Sequence, residues 1–155
     1  MIIRAYLDTS VFGGTQDPEF QSASLRIIRY VMEGRIEVLI STTTIDEIAD
    51  APPAVQDVLK QLGDERVTVM QDDERVRELA KAYIERGVLG PRHLGDALHV
   101  AAATVGGAHV ILSWNFKHIV NYARIGKFNE IGTEFGHAAI EIRSPLEIDL
   151  ENEEL

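Results

Sequence analysis

Short runs of branched and aromatic residues alternate along this chain with longer stretches whose apolar positions recur every three or four residues. Ile2 to Leu7 reads as a strand, rich in branched and aromatic side chains. Asp17-Pro18 marks a turn before Phe20 to Gly34, where Leu25, Ile28 and Val31/Met32 recur at helical spacing. Ile36 to Ile40 forms a second strand. It leads into the hydroxyl-rich Ser41-Thr42-Thr43-Thr44 and a short helix through Ala49, which must end before Pro52-Pro53. Ala54 to Leu62 predicts a further helix and Val67 to Met70 a short strand. Asp72 and Asp73 open a long amphipathic helix that ends near Gly87. After a loop from Pro91 to Gly95, Ala97 to Val105 is apolar on nearly all sides, which predicts a buried helix. Ala108 to Leu112 is a strand, Asn121 to Phe135 a weaker helix, and Ala138 to Ile142 a last strand. There is no internal repeat and no low-complexity segment.

Apolar strands alternating with helices predict an α/β fold, a mainly parallel sheet covered on both faces. Ligands of such sheets gather at the carboxyl ends of the strands. Asp8 directly follows the first strand, Glu47 lies just beyond the second, and Asn115 follows Ala108 to Leu112 after Ser113 and Trp114. Asp96 opens the buried helix. Each has an ordinary reading: Asp8 begins a turn, Asp96 caps a helix, Thr44-x-x-Glu47 is a capping box, and Asn115 is a loop amide. Together they suggest more, because carboxylates beside apolar segments need a cation or several donors. A divalent ion would satisfy several at once, and hard oxygen ligands suit Mg²⁺ or Mn²⁺.

Composition narrows the field. The chain has 155 residues, enough for one domain with a sizeable core. It has no cysteine, which excludes disulfides, thiolate metal sites and cysteine nucleophiles. A formal charge of −10 argues against holding nucleic acid by bulk electrostatics. Lys117, His118, Arg124 and Lys127 nevertheless make a local basic stretch just after Asn115, suited to phosphate contacts or to a solvated face. No apolar run reaches the roughly 20 residues of a membrane helix, and the N-terminus lacks a signal-peptide core. These features predict a cytoplasmic protein without membrane contact.

Four segments also carry a family resemblance. Tyr6-Leu7-Asp8-Thr9-Ser10-Val11, Thr44-Ile45-Asp46-Glu47-Ile48, Leu94 to Ala102 with Asp96 and His99, and Ile111 to His118 with Ser113 and Asn115 resemble the four signature blocks of PIN-domain ribonucleases. The best-known small members are the VapC-like toxins of toxin–antitoxin pairs. The blocks occur in order, and the match runs from residue 2 to about residue 142. The resemblance implies a three-layer α/β/α PIN-like domain with a central mainly parallel sheet. It implies Asp8, Glu47 and Asp96 as metal ligands for one or two Mg²⁺ or Mn²⁺ ions, with Asn115 as a fourth catalytic position. Many members have an aspartate there, so the amide departs from the pattern and leaves the number of ions open. Ser10 and Ser113 match supporting hydroxyls that orient water or a carboxylate. The implied activity is hydrolysis of RNA phosphodiester bonds by activated water, with an RNA substrate and an antitoxin protein as partners; a homodimer would rest instead on exposed apolar residues of the Phe20 to Met32 helix.

Other readings stay open. His99 faces the same side of its helix as Asp96, either touching the site or hydrogen-bonded in the core. Arg92 and His93 contact RNA or face solvent. Trp114 and Phe116 stack on bases or pack in the core, and exposed apolar residues of the Phe20 to Met32 helix support a dimer or the core. A catalytically weak PIN-like binding or scaffold module is the main alternative, with Asn115 as its sign. A receiver-type phospho-acceptor domain lacks its acidic pair, since Asp8 is alone. A haloacid-dehalogenase-type phosphatase would need an aspartate where Ser10 stands. The nuclease-like domain is expected over residues 1–145, followed at 146–155 by an acidic, frayed and solvated tail.

Overall fold

In the computed structural model, which describes residues 2–151, five strands and seven helices form a three-layer α/β/α domain. The strands are β1 (Ile3–Leu7), β2 (Ile36–Ser41), β3 (Val67–Met70), β4 (Val110–Leu112) and β5 (Glu141–Arg143). They form one sheet in the order β3-β2-β1-β4-β5, and every neighbouring pair is parallel. The helices are α1 (Thr9–Gly14), α2 (Gln21–Met32), α3 (Thr42–Ala49), α4 (Pro53–Leu62), α5 (Glu74–Glu85), α6 (Leu94–Val105) and α7 (Tyr122–Glu134).

Alternation along the strands divides the core into two. Ala5, Leu7, Val38, Ile40, Val110 and Leu112 face a cluster completed by α1, α2, α4 and Ile48 of α3. Tyr6, Leu39, Ile111 and Ile142 face the opposite cluster, built with α5, α6 and α7. The register sets Tyr6 beside Leu39 on one side and Ile111 on the other. Helix α6, buried as its composition requires, lies on the Tyr6 side of the sheet.

Several elements differ from the sequence expectation, each for a local reason. Helix α1 starts directly after Asp8, where Gly13-Gly14 obscures any helical signal. A Cβ on Gly14 would sit 2.4 Å from Ser24 Oγ and 2.8 Å from Trp114 Nε1, so only glycine lets these helices meet. Helix α3 begins at Thr42 with Ser41 as its N-cap, so Thr44 is not the first but the last member of a capping box, its hydroxyl accepting the Ser41 backbone N–H at 3.2 Å. Helix α6 begins at Leu94, placing Asp96 in its first turn rather than at its cap. The last strand starts at Glu141, because the Asn129 side-chain amide takes both backbone groups of Ile140, at 2.9 and 3.0 Å.

The chain after Ser144 is also not frayed as far as it is described. Ile148 and Leu150 pack against the α2 side of the core. The Tyr30 hydroxyl accepts the Leu150 N–H at 3.0 Å, Arg35 donates to the Leu150 carbonyl at 2.6 Å, and Glu151 pairs with Arg29. The rest of the expected tail, residues 152–155, lies outside the described residues.

Candidate active site

With strand order β3-β2-β1-β4-β5, chain connections diverge between β1 and β4, the position where open α/β sheets hold their ligands. Asp8 stands at this divergence. It follows β1, its backbone N–H donates to the Leu112 carbonyl at 3.0 Å, and the residue is 5% exposed. Ser10, in the first turn of α1, and Ser113, just past β4, both donate to Asp8 Oδ2 at 2.7 Å. The serines are locked in turn by the Trp114 and Asn115 backbone N–H groups, each at 2.9 Å. The supporting hydroxyls expected from the sequence therefore orient a carboxylate.

Glu47 reaches the same edge from α3. Its Oε1 accepts from Thr9 Oγ1 at 2.7 Å and faces His99 Nε2 at 2.5 Å. His99, 1% exposed, also places Nε2 3.3 Å from Asp8 Oδ1. On the other side of the ring, Nδ1 lies 2.7 Å from the Tyr6 hydroxyl, itself 2.7 Å from Ser41 Oγ and 3.2 Å from Thr44 Oγ1. A chain of polar groups thus runs from Glu47 through His99 to the ends of β1 and β2. His99 is both a hydrogen-bonded core residue and part of the site.

Charge explains the titration behaviour. Burial opposes a charged His99, but Asp8, Glu47 and Asp96 outweigh it and hold the imidazole above its ordinary pKa. Burial pushes Glu47 up, while its contacts with His99 and Thr9 outweigh that and hold it below the usual carboxylate range. Asp96 is raised by burial and by repulsion from Asp8, against the pull of His118, His99 and His93. Desolvation and the neighbouring His93 push His118 down, despite Asp96.

Asp8 and Glu47 meet at one strand edge, with Asp8 held by hydroxyl donors and Asp96 near enough to be repelled by it, and such carboxylates fit a hard divalent cation. Asp8, Glu47 and His99 each offer a ligating atom within 4.8 Å of the other two. His93, Asp96 and His118 form a second such group. Asn115 is placed differently: its Oδ1 accepts the His118 backbone N–H at 2.9 Å, so its side chain shapes the loop.

The basic stretch is divided. Arg124 donates to the Val88 and Lys117 carbonyls at 3.0 and 2.9 Å and ties two loops together. His118 turns to Asp96, 3.3 Å away, while Lys117 and Lys127 are exposed. Trp114 packs on Phe20 and donates to Ser24 Oγ at 2.8 Å, whereas Phe116 is exposed. Residues underrated from the sequence are Tyr6, Thr9, His93 and His99. The available signal was the spacing of His93, Asp96 and His99, three residues apart along the start of one helix.

The same architecture occurs in solved structures of VapBC2 from Rickettsia felis bound to a DNA fragment from its promoter (TM-score 0.57, 12% identity, 92% of this chain and 98% of that one). It occurs also in FitAcB from Neisseria gonorrhoeae (TM-score 0.57, 15% identity, 93% and 99%). VapBC-1 from nontypeable Haemophilus influenzae gives the same TM-score of 0.57, at 14% identity over 94% and 100%. The chain shares the α/β/α fold of these proteins, the fold that the resemblance implied. No family model matches the sequence, and no curated protein matches it. The likeness is therefore one of fold at low identity, with Asp8, Glu47 and Asp96 at the carboxyl edge of the sheet. No helix among the described residues is long and apolar enough to cross a membrane.

Proposed function

We propose that this chain is a metal-dependent endoribonuclease, the toxin of a toxin–antitoxin pair acting in the cytoplasm. The observation that carries the reading is Asp8, held at the divergence of the sheet by Ser10 and Ser113 and joined there by Glu47. The fold neighbours, PIN-domain toxins of toxin–antitoxin pairs, support it. Asp8, Glu47 and Asp96 would hold Mg²⁺ or Mn²⁺. Such an ion supplies water of lowered pKa and charge neutralisation at a phosphate. Glu47 orients the attacking water and takes its proton, while His99 fixes the Glu47 carboxylate. Hydrolysis leaves a 5′-phosphate without a covalent intermediate. Exposed Lys117 and Lys127 offer phosphate contacts that the overall acidity does not remove. Leu25 and Met32, both exposed and seven residues apart on α2, offer an apolar face for a second copy.

The test is incubation of the purified chain with tRNA and mRNA pools, with and without Mn²⁺. Metal-dependent cleavage lost in Asp8→Asn and Asp96→Asn is expected; cleavage that persists in both variants overturns the site. The engagement of Asn115 in its loop favours a second reading, a binding module of low activity. That reading predicts antitoxin binding without cleavage.

A further inference from the structure

The two imidazoles beside Asp96 are not accounted for by the carboxylate site. His93 ends the 3₁₀ turn Pro91–His93, Asp96 follows one turn later on α6, and His118 arrives from the loop after β4. His118 Nδ1 and His93 Nδ1 lie 3.3 and 3.9 Å from the same oxygen, Asp96 Oδ2. The two rings stack with centroids 3.7 Å apart and planes inclined by 32°. One ligating atom from each residue lies within 4.8 Å of the other two. Donors about 2.0–2.1 Å from a tetrahedral ion are separated from one another by about 3.3 Å, so small side-chain adjustments bring all three into range.

The backbone already holds this arrangement. Asn115 Oδ1 fixes the His118 N–H, and the His93 N–H donates to the Gly90 carbonyl at 3.0 Å. Arg124 bridges the Val88 and Lys117 carbonyls, joining the segments that precede the two histidines. The three side chains are 28%, 24% and 16% exposed, so ions and water reach them.

We infer that His93, Asp96 and His118 form a transition-metal site of two imidazoles and one carboxylate, selective for a first-row dication such as Zn²⁺ over Mg²⁺. Imidazole nitrogen suits zinc, iron and nickel, whereas Mg²⁺ demands oxygen. Three protein donors leave at least one coordination position for water or a phosphate oxygen. Asn115 then acts as a positioning residue: it replaces an acidic ligand of the resembled pattern and presents His118 in its place. The site shares Asp96 with the hydrolytic centre but does not rest on nuclease activity.

The test uses Co²⁺ as a spectroscopic probe on the full chain, followed by displacement with Zn²⁺ and with Mg²⁺. A visible Co²⁺ spectrum with imidazole ligation is expected, displaced by Zn²⁺ and not by equimolar Mg²⁺. His93→Ala and His118→Ala, on separate segments, should each weaken Co²⁺ binding more than about 100-fold, beyond the roughly 10–100-fold that loss of an outer-shell partner costs. Circular dichroism of the metal-free variants checks that they fold. Unchanged Co²⁺ affinity in both histidine variants, or displacement by equimolar Mg²⁺, overturns the inference. Histidine-dependent Co²⁺ binding without RNA cleavage sinks the nuclease reading alone; Mn²⁺-dependent cleavage without it sinks this inference alone.

Discussion

Ser113 and Asp8 are 105 positions apart in the chain and 2.7 Å apart in the fold, hydroxyl to carboxylate. The contact forms because β1 and β4 are parallel neighbours, with Leu7 opposite Leu112, so the residues just past their carboxyl ends meet. Ser113 is fully buried, and its hydroxyl is also the acceptor of the Asn115 N–H. Replacing it by alanine leaves a buried carboxylate short of a donor. Ser113→Ala is expected to lower stability by about 1–3 kcal/mol in urea denaturation. Ser10→Ala, at a less enclosed position, should cost less; the reverse order would contradict the arrangement.

Metal-free stability should depend on pH through His99 and Glu47. The raised His99 contributes stability that is fully present below its ordinary 6.5 and lost as pH rises through its folded value. The lowered Glu47 contributes stability present above its ordinary 4.5 and lost as pH falls through its folded value. Both contributions are complete between 4.5 and 6.5. The difference in Tm between the native chain and His99→Asn should peak in that window and narrow on both sides. A difference that does not vary with pH would rule the ion pair out.

Cation binding and folding should be linked. An ion that binds only the folded chain stabilises it according to its concentration relative to Kd. Millimolar Mn²⁺ is expected to raise Tm, and Asp8→Asn should remove most of the increase. An unchanged Tm with Mn²⁺ would count against the carboxylate centre.

Gly14 tests the meeting of α1, α2 and Trp114. A methyl group there collides with Ser24 Oγ and the indole, separating the pair that hydrogen-bond at 2.8 Å. Gly14→Ala should cost about 1–3 kcal/mol, as overpacking does. The chain has one tryptophan, so its fluorescence maximum should shift with the change. Unaltered emission and stability would show that the contact relaxes freely.

The segment after Glu147 should behave as part of the domain. Ile148 and Leu150 each bury part of an apolar side chain against the core. Complete burial of such a side chain contributes about 1.5–3 kcal/mol. Ending the chain at Glu147 is therefore expected to lower stability by about 2–3 kcal/mol in chemical denaturation. No loss would return this segment to the solvated tail that its acidity suggests.

Much of the fold was legible because strand and helix periodicities are local. Val38 to Ile40 is apolar on both faces, as a central parallel strand must be, and α6 is apolar nearly all round because it is buried. Boundaries were less legible where a distant side chain decides them. Asn129 withholds Ile140 from β5, and no pattern within residues 138–142 shows that. The docking of Leu150 was hidden in the same way, because acidic neighbours mask an apolar pair whose partners lie on α2.

The sequence by itself determined the alternation of strands and helices, and it placed Asp8, Glu47 and Ser113 near strand ends, since each follows directly from its position in a local run. Only the tertiary structure decided that β1 lies between β2 and β4. That order brings Ser10 and Ser113 onto one oxygen of Asp8 and turns Tyr6 toward α6. It also decided the fate of the histidines. His99 is drawn into the charge centre between Asp8 and Glu47, whereas His93 and His118 converge on Asp96. Their spacing in sequence says which face of a helix they share; only the packing of separate segments brings their donor atoms together.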